Sequence, residues 1–124
     1  NILIDTYSPR LFDMTYTLAA DAYLGDASSQ IYEFLVRPRP AFFIDARRDV
    51  KAEDDKWHLF WECGPLVRSV DALTALLPEM DAIGANYRAR QDELFAYTID
   101  LGDRPASERA ADAILEAISS RADR

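Results

Sequence analysis

Residues Ala22 to Ala46 read AYLGDASSQIYEFLVRPRPAFFIDA, and this stretch decides the fold. A short apolar run, Ala22 to Gly25, stops at Asp26-Ala27-Ser28-Ser29. An amphipathic segment follows, and a second apolar run spans Ala41 to Ile44. The order is strand, turn, helix, strand. Two buried strands joined by one helix in the same sheet nearly always run parallel, with a right-handed crossover. The turn after the first strand therefore opens at the carboxyl edge of a parallel sheet, where ligands bind in such folds.

The chemistry of that turn suits an anion. Ser28 and Ser29 fall at a helix amino end, where unpaired backbone N–H groups, two hydroxyls and the positive end of the helix dipole favour a phosphate. Gln30 follows on the first turn. Glu33, four residues after Ser29, shares its face and can accept hydrogen bonds from a ribose or glycerol hydroxyl. Asp26 or Ser28 would equally serve as a plain helix cap, since both residue types are favoured there whatever the function.

Working outward, Ile2 to Ile4 reads as a short buried strand and Asp5 to Ser8 as the loop at its carboxyl end. Ser8-Pro9 starts a helix, with Ser as N-cap and Pro in the first turn, and Leu11, Met14, Thr15 and Leu18 carry it to about Ala20. The helix after Ser28 runs to about Val36 with Ile31, Phe34 and Leu35 on its apolar face. Arg37-Pro38-Arg39-Pro40 ends it and forces an extended entry to the next strand. Asp45 to Lys56 is charged and aperiodic, a surface loop. Because it leaves the carboxyl end of a parallel strand, Arg47, Arg48 and Lys51 are candidates for a lid over a diphosphate. Trp57 to Glu62 is a short strand or packing loop. Gly64 to Arg68 is a last strand, and Ser69-Val70-Asp71 caps a helix through Leu77, ended by Pro78. A longer helix, Asp81 to about Thr98, sets Ile83, Tyr87, Leu94 and Phe95 on one face. After Gly102 a final helix runs from Pro105 to about Ser120 with Ala110, Ile114, Ala117 and Ile118 as a narrow stripe. The fold class is thus α/β, a three-layer arrangement with a short parallel sheet of about four strands and flanking helices.

The chain of 124 residues is one domain's length, and 49% hydrophobic content supports a real core. Fourteen basic against 22 acidic residues give a net charge of −8, which argues against nucleic acid or an anionic membrane as the main partner. One cysteine, Cys63, excludes an internal disulfide and fits a reducing compartment. A single His58 beside that one cysteine cannot furnish a structural zinc site, and neither residue has a partner that would make it a catalyst. The chain opens at Asn1-Ile2-Leu3-Ile4 without an initiator Met, so a portion of a longer protein is expected.

The run ADAYLGDASSQIYEFLVRPRPAFFI resembles the Asp-x-Ser-Ser stretch in the carboxyl-terminal domain of the CDP-glycerol glycerophosphotransferases, the teichoic-acid polymerase family of GT-B fold. In that family an apolar strand ends in Asp-x-Ser-Ser, an acidic residue stands at the place of Glu33, and a Pro-preceded strand follows at the place of Pro40. The tail Gly102-Asp103-Arg104-Pro105-Ala106-Ser107-Glu108-Arg109 is similar to the segment opening the last helix of those enzymes. Ala27 departs from the family's aromatic, and Lys51 to Glu62 departs from its Tyr-Glu-rich loop.

The resemblance implies a Rossmann-like half of a GT-B carboxyl-terminal domain, the part of a glycerophosphotransferase or glycosyltransferase that grips a nucleotide-activated donor in cell-surface polymer synthesis. Asp26, Ser28, Ser29, Gln30 and Glu33 would hold the donor, and a Mg2+ ion would come only with its diphosphate. The family's catalytic histidines lie upstream and none matches here, so the chain alone should bind weakly and catalyse nothing. A cytoplasmic location is implied, at the inner face of the membrane for the parent protein. The alternative is a non-catalytic α/β binding or interaction module. A receiver-like domain would need a Lys after the last strand, which does not follow Val67. An uncovered sheet edge leads us to expect self-association, as a twofold dimer through that edge or by exchange of the last helix.

Overall fold

The computed structural model describes residues 2–26, 28–45 and 59–122. Three short strands, β1 (Tyr23–Gly25), β2 (Ala41–Ile44) and β3 (Leu66–Val67), form one parallel sheet in the order β1-β2-β3. Flanking them are α1 (Thr15–Ala19), α2 (Gln30–Phe34), α3 (Val70–Leu76), α4 (Met80–Thr98) and α5 (Ala106–Ala122). The α/β class and the parallel pairing are as the sequence dictates. The described sheet has three strands.

Its core is built by the two segments that open the argument. From α2, Ile31 and Phe34, with Leu35 just beyond, pack on Ala41 and Phe43 of β2, and Phe60, Cys63 and Leu94 close the cluster. Phe43 touches the rings of Tyr23 and Phe60 at centroid separations of 6.0 and 5.7 Å. Phe42, the intervening residue, is buried on the opposite face, so β2 is the central strand, apolar on both sides. Helix α4 packs chiefly on a 3-10 turn, Leu59–Cys63, which stands where the sequence suggested a strand or loop.

One side chain ties these layers together. Gln91 of α4, fully buried, donates through Nε2 to the carbonyls of Arg39 (3.0 Å) and Cys63 (2.8 Å), the residues that lead into β2 and toward β3. Gly64 follows Cys63 at a point of close approach, since a side-chain carbon there would run into the Ala41 carbonyl. Before β2, Arg39 lies 4.0 Å over the Phe34 ring and donates to the carbonyls of Thr17 (2.9 Å), Leu18 (3.4 Å), Ala20 and Phe34 (3.4 Å), capping the carboxyl ends of α1 and α2.

Several expectations are corrected. Ile2 to Ile4 forms no strand and is exposed, pairing with no strand among the described residues even though the outward edge of β1 is open. The expected helix from Ser8 to Ala20 is interrupted. A 3-10 turn, Pro9–Leu11, is followed by Asp13, whose carboxylate accepts from Thr15 N at 3.0 Å, and by Met14 at φ 63°, a left-handed conformation that ends helical continuity. Asp45, expected at the start of a surface loop, is buried and continues the ladder by donating its N–H to Val67 at 2.9 Å. The stripe of α5 packs on nothing among the described residues: Ile114, Leu115 and Ile118 are about 60% exposed, and Ala110 and Ala117 are exposed as well. Among the described residues, no helix is long and apolar enough to cross a membrane.

Candidate functional site

Parallel pairing brings the carboxyl ends of all three strands to one edge, and the sequence continues past each with polar residues: Gly25 into Asp26, Ile44 into Asp45, Val67 into Arg68 and Ser69. Asp26 and Ser28 emerge there as the sequence requires. Ser28 is half-buried. Its Oγ accepts from the Gln30 N–H at 3.3 Å, and its carbonyl accepts from Ile31 at 3.4 Å. It is therefore Ser28 whose side chain closes the turn. Ser29, one residue on, is exposed, already in the right-handed helical conformation, and its side chain makes no capping bond. Helix α2 has five residues, so its dipole is small, and the polar groups that the turn presents are its hydroxyls and N–H groups.

Gln30 and Glu33 are both exposed on the outer side of α2, opposite the buried Ile31 and Phe34. The structure therefore brings Asp26, Ser28, Ser29, Gln30 and Glu33 into one stretch of surface along the strand end and the first turn of α2. Ala27 and the lid candidates Arg47, Arg48 and Lys51 lie outside the described residues, as does His58.

The turn is held from behind by aromatic residues that the sequence did not mark. Tyr23 folds its phenol over Gly25, where any side-chain carbon would collide with the ring, and its hydroxyl meets the Ser28 hydroxyl. Burial, and then the Asp26 charge, push the Tyr23 phenol above its ordinary range, so it remains a neutral hydrogen-bonding group around neutral pH. Trp61 donates its indole N–H to the Asp26 carbonyl at 3.3 Å, tying the turn to the 3-10 segment before β3. A signal for Tyr23 existed in the sequence: a phenol two residues before a strand-ending glycine. Trp61 is 35 residues away from Asp26 and gave none.

Asp45 is the other residue missed. It stands at the end of the central strand, 4% exposed, with Arg68 Nε 3.2 Å from Oδ2. An acid directly after AFFI was legible as a strand-end residue, but the charged stretch that follows disguised it. Arg37 and Arg39, by contrast, donate to carbonyls, Arg37 to Leu18 at 2.7 Å, and stand before β2, at the end of the strands away from the turn. Cys63 is buried and its thiol is pushed up to about 11 by burial, which makes it a core residue and a poor nucleophile. Among the described residues, no group of three or more His, Cys, Asp or Glu side chains is placed to hold a metal ion.

Beside the turn, a groove of about 250 Å³ runs along β1 between α1 and α2, bordered by Tyr16, Thr17, Leu24 and Gln30. No protein-family model, no curated protein and no solved structure matches the chain. The fold and the site thus rest on their own geometry.

Proposed function

We propose that this edge grips the diphosphate and adjoining hydroxyls of a nucleotide-activated donor, CDP-glycerol or a nucleotide sugar, as the donor-binding part of a glycerophosphotransferase- or glycosyltransferase-like enzyme. The fold finer than α/β is then a Rossmann-like half of a GT-B carboxyl-terminal domain. The observation that carries the reading is the Asp26-x-Ser28-Ser29 turn at the carboxyl end of a parallel strand, with the Ser29 hydroxyl uncommitted and Gln30 and Glu33 exposed beside it.

In this reading Ser29 Oγ and the turn's N–H groups donate to phosphate oxygens, Glu33 accepts from a sugar or glycerol hydroxyl, and Asp26 orients the turn. Tyr23 and Trp61 are positioning residues. Mg2+ arriving with the donor is held by phosphate and water, which such an ion keeps in preference to protein ligands. The chain contributes binding while catalytic groups come from elsewhere in a parent enzyme, placed in the cytoplasm at the inner membrane face. Calorimetric titration with CDP-glycerol tests this. Replacing both Ser28 and Ser29 with Ala is expected to weaken binding by about 1–3 kcal/mol, the range for bonds to a charged group. Equal affinity of the folded variant, or no binding by the parent sequence, refutes it.

A second reading, a non-catalytic interaction module, is favoured by one observation: the exposed Ile114, Leu115 and Ile118 on α5. Donor binding at the turn separates the two.

A further inference from the structure

The open edge of β1 and the uncovered Ile2-Leu3-Ile4 run answer each other. In the ladder, Tyr23 N donates to the Pro40 carbonyl at 2.9 Å, and the register Tyr23↔Ala41, Gly25↔Phe43 turns the peptide groups of Tyr23 and Gly25 toward β2. The N–H and C=O of Leu24 consequently point the other way, where no strand among the described residues meets them. Leu24 itself is 53% exposed, and the groove of about 250 Å³ lies along this edge with Thr17, Ala20, Ala22 and Phe34 in its walls. An edge strand with free backbone groups beside a groove of mixed lining, apolar at Ala20, Ala22 and Phe34, is a template for an added strand.

Ile2, Leu3 and Ile4 are 92, 74 and 82% exposed, an apolar run with two β-branched residues and no cover. Asp5 explains why they do not fold back. Its carboxylate accepts from Ser8 N (2.9 Å), Tyr7 N (3.2 Å), the Ser8 hydroxyl and the Tyr16 hydroxyl. That knot fixes the turn immediately after Ile4, and with it the run stands off the surface that it could otherwise cover.

We propose that the open edge of β1 receives Ile2-Leu3-Ile4 from a second copy of the chain, and that the exchange is reciprocal about a twofold axis. Each copy carries one donor run and one acceptor edge, so the exchange closes at two. Pairing satisfies the outward peptide groups of Leu24 and covers apolar side chains of the run in each direction, alternately on the two faces of the sheet. The inference does not rest on the donor-binding reading: it uses the outward peptide groups of Leu24 and the Ile2-Leu3-Ile4 run, although Gln30 borders both the groove and the Ser28-Ser29 turn.

Light scattering and sedimentation of the full chain at micromolar concentration test it. The chain is expected to be a dimer. Leu3→Lys, at an exposed position, should leave the far-ultraviolet spectrum unchanged and give a monomer. Leu24→Pro should also give a monomer, because it removes only the outward N–H and spares the bonds to β2. Ile118→Lys on α5 should remain dimeric. Mixing a tagged Leu3→Cys chain with an untagged Leu24→Cys chain and adding a bismaleimide should cross-link tagged to untagged, with buried Cys63 unreactive. A monomeric parent chain, a dimer that survives Leu3→Lys, a dimer lost in Ile118→Lys, or cross-linking only within a doubly substituted chain would each overturn the proposal.

Discussion

Replacing Gln91 with Leu removes the donor that holds the entries to two strands. The Cys63 carbonyl is in a buried setting, and its loss of a partner at 2.8 Å should cost about 2 kcal/mol; the Arg39 carbonyl is partly accessible, and its loss should cost about 1 kcal/mol. Against this, Oε1 of Gln91 is buried with no partner among the described residues, so the apolar replacement removes a penalty of about 1 kcal/mol. The net expectation is a loss of about 2 kcal/mol. Gln91→Glu should be worse at neutral pH, because it faces two carbonyl oxygens with a buried charge. Burial raises that carboxyl's pKa, so the Glu variant should recover relative to the parent as the pH falls and the protonated acid regains one donor. Urea unfolding followed by far-ultraviolet dichroism and by fluorescence reads both variants. A Leu variant within about 0.5 kcal/mol of the parent, the ordinary range for neutral surface changes, would refute the claim that Gln91 ties α4 to the sheet.

Arg39→Lys replaces a fork that serves the carbonyls of Thr17, Ala20 and Phe34 by a single ammonium, and should cost about 1–2 kcal/mol while speeding hydrogen exchange in α1 more than in α4. The hydrogen bonds of Asp5, first from the Ser8 hydroxyl and then from the Tyr16 hydroxyl, hold its carboxyl well below the ordinary 3.8. A depressed folded value means stabilisation that is present above that ordinary value and lost as the pH falls toward the folded one, so the gap in urea midpoint between the parent and Asp5→Asn should begin to narrow below about pH 4 and go on narrowing as the pH falls further. A gap unchanged with pH would contradict the assignment. Cys63, with its thiol pushed up to about 11, should resist a thiol-specific reagent at pH 8 in the native protein and react at once in urea.

The parallel unit from β1 to β2 was legible because two rules act locally there: apolar runs bounded by Asp-Ser and Pro, and a crossover whose direction sterics all but fix. So was α3, since Ser69 both reads as a cap and accepts from Ala72 N at 3.2 Å. The site turn followed from the same local order, although the sequence could not say that Ser28 would close it and leave Ser29 free. What failed required knowledge of neighbours. Ile2 to Ile4 has strand-forming composition, but the bonds of Asp5 to Ser8 and Tyr16 fix the turn after it, and those are contacts that composition does not show. Asp13 and Met14 broke a helix whose spacing looked continuous, because a side-chain bond to Thr15 N competes with the helical one. Gln91 lies off the apolar stripe named for its helix, and only the two carbonyls meeting it explain its burial.

The central claim is that the strand-end turn holds a donor diphosphate, and backbone amide shifts during titration with CDP-glycerol test it most directly. The account predicts progressive shifts at the Ser28, Ser29 and Gln30 amides, extending along α2 to Glu33, all displaced to higher donor concentration when Ser28 and Ser29 are both Ala. Shifts absent from that turn, or confined to Arg37 to Arg39 at the opposite end of the strands, would contradict it.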